Sequence, residues 1–165
     1  MRCCRTFGSL VHFGLLASLI VLPAAASAQS KSQPDPSIGT WKLNVDKSKY
    51  SPGPGPKSTT VTIKSDGDKT HVTVKTITAT GTATSSEYSY RLDGRDNVVT
   101  GSADYDTVAI TGSGNTLEGT RKKAGRVVQN YKRVISSDGK TMTVTTTGTN
   151  GLGQTINNVA VYEKQ

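Results

Sequence analysis

The sequence predicts an all-β protein: a single antiparallel up-and-down meander that closes into a barrel of about eight to ten strands. Thr, Val and Ile are abundant, whereas Leu, Ala and Glu are scarce after residue 28. β-Branched side chains restrict χ1 and fit a pleated sheet, so this composition favours strands over helices. Short runs of such residues alternate with Gly-containing turns along the whole chain, a spacing typical of antiparallel hairpins.

The N-terminus has the layout of a secretory signal peptide. Arg2 and Arg5 precede an apolar stretch, and the small residues Ala26-Ser27-Ala28 provide a cleavage site. We therefore expect residues 1–28 to be removed, which lowers the net charge from +8 to +6 by the loss of the two arginines. Cleavage also removes both cysteines, so disulfides and thiolate metal sites are excluded from the mature chain.

The signal peptide sets the expected domain organisation. A flexible leader is predicted at residues 29–37, and residues 38–165 are predicted to form one β-barrel domain. We expect a periplasmic or secreted location, with no stable membrane span after cleavage.

Ten runs of strand-forming residues follow the leader. Strands are predicted near residues 39–43, 59–65, 69–78, 82–91, 97–100, 105–111, 116–123, 126–135, 141–147 and 155–163. The first strand is ended by a Pro-rich connector, and later strands are separated in order by Asp66-Gly67, Thr80-Gly81, Asp93-Gly94, Gly112-Ser113-Gly114-Asn115, Ala124-Gly125, Asp138-Gly139 and Asn150-Gly151. These turns supply residues that tolerate positive φ. No helical crossover interrupts the hairpins, and closing the sheet removes its exposed edges.

The start of the first strand resembles a known superfamily. Gly39-Thr40-Trp41 is similar to the Gly-x-Trp signature of lipocalins and fatty-acid-binding proteins, and the ending Asn157-Asn158-Val159-Ala160-Val161-Tyr162 resembles exported bacterial proteins described as lipocalin-like. The resemblance implies that Trp41 is buried at the narrow end of the barrel. It also implies that an arginine from a late strand, Arg133 or Arg121, packs across the ring through a cation–π contact.

The same resemblance suggests a ligand site. Tyr88 and Tyr90 lie two residues apart, as do Tyr131 and Arg133, so each pair projects to one face of its strand. Fatty-acid-binding proteins hold a ligand carboxylate with an inward Arg and Tyr spaced in this way, which implies that Tyr131 and Arg133 meet an acidic head group. Together with Trp41 these four residues are the candidate ligand-binding residues.

A simple hairpin count favours the opposite placement of Arg133. If residues 123 and 126 flank the hairpin turn, Thr116 lies opposite Arg133 and Glu118 lies opposite Tyr131. Glu118 would then form a diagonal surface ion pair with Arg133. On this count Arg133 is expected on the outer face, although a single bulge would reverse the faces.

Other chemistries have little support in the sequence. A basic hairpin tip is expected at Arg121, Lys122, Lys123 and Arg126, but it contains no aromatic residue, so nucleic-acid binding is not predicted. His71 is the only histidine after residue 28, and no Gly-x-Ser-x-Gly elbow accompanies it. We predict no catalysis, no metal site and no cofactor.

Two functions therefore remain open. The first is an exported, non-catalytic and monomeric barrel that binds a small apolar or amphipathic molecule. The second is an envelope or enzyme-inhibitor module that acts through its surface and has a filled barrel. The presence or absence of an interior cavity distinguishes them.

Overall fold

The computed structural model describes residues 35–165, and this part of the chain contains ten strands. They are β1 (Gly39–Lys49), β2 (Ser58–Asp66), β3 (Lys69–Ile77), β4 (Ala83–Tyr90), β5 (Asp96–Thr100), β6 (Thr107–Ser113), β7 (Thr116–Lys123), β8 (Arg126–Ile135), β9 (Thr141–Thr149) and β10 (Thr155–Lys164). All ten predicted strands are present, and β1 runs past its predicted end near residue 43. The predicted signal peptide lies outside the described residues. Within residues 35–165 there is no helix long and apolar enough to span a membrane.

The strands close into a single barrel. Each strand pairs antiparallel with its neighbours in the chain, and β1 pairs with β10 to complete the ring. The prediction of a single antiparallel up-and-down meander closed into a barrel of about eight to ten strands is confirmed. Closure gives every strand two neighbours, so no long edge is left unpaired.

An up-and-down barrel places alternate turns at opposite ends. The start of β1 and the turns after β2, β4, β6 and β8 lie at one end, which we call the closed end. The β1–β2 connection and the turns after β3, β5, β7 and β9 lie at the other, which we call the mouth. Fully buried side chains concentrate toward the closed end, among them Trp41, Tyr90, Ile110 and Met142.

Trp41 plugs the closed end. Its ring is fully buried, as predicted, and its indole Nε1 donates a hydrogen bond to the Ser37 carbonyl at 2.8 Å. Ser37 is itself buried, although it belongs to the segment expected to be a flexible leader. The cation over the ring is Lys164, with Nζ 5.2 Å from the centroid. The expectation of Arg133 or Arg121 there is wrong, because β10 closes the barrel against β1 and brings Lys164 directly opposite Trp41.

Candidate functional site

The barrel interior contains a cavity of about 500 Å³. It extends from mouth residues such as Pro56, Thr78 and Ser102 down to Ile63 and Met142. This volume lies within the range of about 300–1,000 Å³ that is usual for small-molecule sites. The barrel is therefore hollow, whereas the surface-acting alternative requires a filled barrel.

The cavity wall has an apolar side and a polar side. The apolar side comes from β2, β3, β9 and β10 and includes Val61, Ile63, Val72, Val74, Val144, Ile156 and Ala160. The polar side comes from β4, the β5–β6 connection, β7 and β8 and includes Tyr88, Tyr105, Arg121, Gln129, Tyr131 and Arg133. A molecule that fills this space meets apolar side chains on one side and hydrogen-bond donors on the other.

A β-bulge at Val128 turns Arg133 inward. Arg121 lies opposite Gln129, but Lys122 lies opposite Val127, so β8 contains one more residue than β7 at this point. The shift places Leu117 opposite Arg133. The expectation of Arg133 on the outer face is wrong, because a one-residue shift moves the whole strand to the other face.

The same shift gives Glu118 a different partner in the surface ion pair. Glu118 lies opposite Lys132, and the Lys132 Nζ is 2.9 Å from Glu118 Oε1. Arg133, expected as the partner of Glu118, is only 8% exposed and lines the cavity.

Arg133 is a buried cation without an acidic partner. Its Nη2 donates a hydrogen bond to the Tyr90 hydroxyl at 3.2 Å, and it takes part in none of the ion pairs found in residues 35–165. Residues 1–34 contain no Asp or Glu that could serve instead. A buried charge is costly unless it is paired and hydrogen-bonded, so within the described residues Arg133 carries a charge that no protein group neutralises.

Arg121 is a second cation on the polar side. Its guanidinium carbon lies 4.7 Å from the ring centroids of both Tyr105 and Tyr131. Its Nη1 donates to Gln129 Oε1 at 3.0 Å, and Gln129 Nε2 donates to the Thr149 carbonyl at 3.0 Å. Within the described part of the chain it too has no ion pair.

The expectation of a hairpin tip with four exposed cations is therefore wrong for Arg121. Its strand face is inward because it shares the face of Leu117, which is buried in the barrel. Lys122 is also engaged, since its Nζ lies 2.8 Å from Asp96 Oδ2. Lys123 and Arg126 remain exposed at the mouth.

Gly119 gives the Tyr131 ring its position. The two residues lie opposite each other on β7 and β8. A Cβ added at Gly119 would lie 2.6 Å from Tyr131 Cε1 and 2.5 Å from the Ala109 carbonyl oxygen. The missing side chain lets the phenol lie close against β7, where it stacks on Arg121.

All six tyrosines of the chain contribute to this interior. Five line the cavity, namely Tyr50, Tyr88, Tyr105, Tyr131 and Tyr162, and Tyr90 lies beneath Arg133. Burial raises the pKa of Tyr50 and of Tyr88 to about 12 and also raises the pKa of Tyr131 and Tyr162. The phenols therefore stay neutral near pH 7 and cannot neutralise the arginines.

Arg121 keeps its charge in this environment. Burial acts to lower its pKa, but the tyrosines around it, Tyr105 foremost, attract its charge when they ionise, and the pKa lies above its ordinary value. A guanidinium stays protonated in proteins, so Arg121 and Arg133 bring two positive charges to the cavity.

Three of the five predicted ligand-binding residues line the cavity: Tyr88, Tyr131 and Arg133. Tyr90 lies behind Arg133 and contacts the Tyr88 ring with centroids 6.1 Å apart, while Trp41 lies at the closed end outside the lining. Sequence reasoning missed several polar lining residues, among them Arg121, Gln129, Tyr50, Tyr105 and Tyr162. The available signal was that five of the six tyrosines fall in predicted strands of a chain with very few aromatic residues.

His71 lies on the outer face of β3. Its Nδ1 is 3.0 Å from Ser89 Oγ, and its Nε2 is 4.0 Å from Glu87 Oε2. It is not part of the cavity lining. In residues 35–165 no three His, Cys, Asp or Glu side chains cluster in a way that could hold a metal ion.

The chain is similar to known proteins at the level of solved structures. No protein-family model matches the chain. No curated protein matches it either. Among solved structures, the chain is similar to the crystal structure of zebrafish ileal bile acid-binding protein complexed with cholic acid, at 12% identity and a TM-score of 0.46, covering 79% of this chain and 99% of that one.

Proposed function

We propose that this protein is an exported, non-catalytic barrel that binds a small amphipathic acid in its cavity. The observation that carries the proposal is Arg133, a buried guanidinium that faces a cavity of about 500 Å³ and has no carboxylate partner in residues 35–165. A bound anion would supply the missing charge, and a charge-assisted hydrogen bond contributes about 1.5–3 kcal/mol.

The two sides of the cavity support an amphipathic ligand. The acidic group would contact Arg133 next to Tyr131, while the apolar body would lie against the aliphatic side chains of β2, β3, β9 and β10. Burial of that body provides affinity at about 25 cal/mol per Å² of apolar surface, and the arginine selects for negative charge.

Binding without reaction is the simpler role for these side chains. The phenols near the ligand have raised pKa values, so they do not act as bases near neutral pH. The one carboxylate in the lining is Asp104 at the mouth, where Oδ1 accepts a hydrogen bond from the Gly151 amide at 2.7 Å. That carboxylate fixes the β9–β10 turn to the β5–β6 connection.

Calorimetric titration with dodecanoate tests the proposal. We expect one molecule to bind per chain, and Arg133→Gln to weaken dodecanoate by about 1–3 kcal/mol while leaving the neutral dodecanol almost unchanged. Lys132→Gln is the matched control, because Lys132 is the neighbouring cation on the outer face of the same strand. Equal losses in the two variants, or no binding by the wild-type protein, would refute the proposal.

A further inference from the structure

The cavity contains one more positive charge than a single acidic group can neutralise. Arg121 and Arg133 both line it, and neither has an ion pair with the described residues. A ligand with a lone carboxylate at Arg133 would leave the half-buried Arg121 without a counter-charge among the tyrosines. This unbalanced charge is the starting point of the inference.

The two arginines lie at different depths. Arg121 faces Gln129 across the β7–β8 ladder, and Arg133 lies four residues further along β8 toward the closed end. Four residues of strand span about 13 Å at about 3.3 Å per residue. One cation therefore lies near the mouth and the other near the cavity floor.

Arg121 is held rigidly enough to act as a binding group. The guanidinium carbon lies 4.7 Å over the ring centroids of both Tyr105 and Tyr131, and Gln129 accepts a hydrogen bond from Nη1. A guanidinium has five N–H donors, so the hydrogen bond to Gln129 leaves others available to an acceptor. The nearby Asp104 forms no ion pair with it and instead accepts from the Gly151 amide.

We propose that the ligand is an elongated dianion, with one acidic group at Arg133 and a second at Arg121. The inference rests on the proposed function and specifies its ligand class. The apolar segment between the two acids would cross the middle of the cavity, where Val74 and Val144 face the polar side. Tyr131, which stacks on Arg121 and lies two residues before Arg133, would flank that segment.

Three compounds with the same carbon backbone test the proposal: dodecanoate, dodecanedioate and the monomethyl ester of dodecanedioic acid. We expect the diacid to bind at least about tenfold more tightly than its monomethyl ester, because a charge-assisted hydrogen bond is gained at the second end. A series of longer and shorter diacids should show one optimum length, since the separation of the arginines is fixed by the barrel.

Substitutions at the two arginines test whether Arg121 causes the advantage of the diacid. Arg121→Gln should abolish the advantage of the diacid over the ester, whereas Arg133→Gln should weaken all three acids. Arg121→Lys retains the charge and should preserve part of the diacid advantage, so loss through misfolding is distinguished from loss of charge. Burial of Trp41, monitored by its fluorescence, reports folding in each variant.

The outcomes separate this inference from the function on which it rests. Equal affinity for the diacid and its ester in the wild-type protein would overturn the dianion while Arg133-dependent binding of dodecanoate upholds the proposed function. A diacid advantage that survives Arg121→Gln would also overturn it, because Arg121 would then be a stacked structural side chain. Failure of every acid to bind would overturn both.

Discussion

The two ends of the barrel differ in how their interiors are completed. At the closed end the chain fills its own interior: Trp41 and Ile110 are fully buried, and the indole N–H has a carbonyl partner. Toward the mouth the same strands enclose a cavity in which Arg121 and Arg133 have no acidic partner among residues 35–165. The closed end is filled and provides stability, and under the proposed function the hollow half gives up stability for ligand binding.

Hydrogen bonding follows the same division. In residues 35–165 the only tyrosine hydroxyl with a protein hydrogen bond is that of Tyr90, at the cavity floor. Within the described residues, the hydroxyls of the five lining tyrosines have no such partner. They are not fully buried, since Thr107 Oγ1 is the one fully buried side-chain oxygen or nitrogen in residues 35–165 without a hydrogen bond. These hydroxyls therefore face the cavity and are free to hydrogen-bond to its contents.

The largest effect should come from truncating the plug of the closed end. Trp41→Ala should lower the free energy of unfolding by about 3–5 kcal/mol, because it removes a fully buried ring and its hydrogen bond to Ser37. Urea denaturation measures the loss. Trp41→Phe, which retains most of the volume, should lose clearly less, and a cost under about 1 kcal/mol for the alanine variant would contradict the division of the barrel.

Alkaline pH should destabilise the hollow half of the barrel, because Tyr88 lies there. The pKa of Tyr88 is raised by burial from 10.0 to about 12, so its contribution to stability is fully present below pH 10 and is lost as the pH rises toward 12. The loss for such a shift is up to about 2–3 kcal/mol. Urea denaturation at several pH values should show this decline in the free energy of unfolding, and Tyr88→Phe should reduce it. A decline that is unchanged in Tyr88→Phe would mean that groups other than Tyr88 cause it.

A methyl group at Gly119 should disturb the polar side. Gly119→Ala should cost about 1–3 kcal/mol, because the added Cβ meets the Ala109 carbonyl and the Tyr131 ring at under 3.0 Å. It should also weaken the proposed acid ligand by displacing Tyr131 from Arg121. Gly114→Ala is a useful comparison, since a Cβ there meets nothing within 4 Å and its effect comes only from a positive φ. Unchanged ligand affinity in Gly119→Ala would argue against a role for the stack.

The smallest change in stability should have the opposite sign. Arg133→Met replaces an unpaired buried cation with an apolar side chain of similar length and should raise the free energy of unfolding by about 1 kcal/mol. The same variant should lose affinity for dodecanoate. A variant that is less stable than the wild type would mean that Arg133 supports the empty barrel, contrary to its assigned role.

The strands were predictable because their signals are local. Turns such as Asp66-Gly67 and Asp138-Gly139 end runs of β-branched residues, and each run became a strand. The long β1 was less visible, since its second half pairs irregularly with β10 between Asn44 and Lys49.

The inward face of β8 was not predictable from a turn count. It depends on the bulge at Val128, which adds one residue to a single strand and reverses the faces beyond it. The one available sign was Gly148 in β9: it has φ +133° and a Cβ there would lie 2.1 Å from the Val128 carbonyl oxygen. An isolated glycine within a strand often marks such a close approach.

Methyl chemical shifts measured by NMR during titration with dodecanoate test the central claim most directly. The account predicts saturable shifts at Val144 and Ile156, which line the cavity, with little change at Ile110 and Ile135, which lie in the filled closed end. The shifts at Val144 and Ile156 should require a much higher dodecanoate concentration in Arg133→Gln. Absence of shifts in the cavity methyls at saturating dodecanoate, or equal shifts at both ends, would contradict the account.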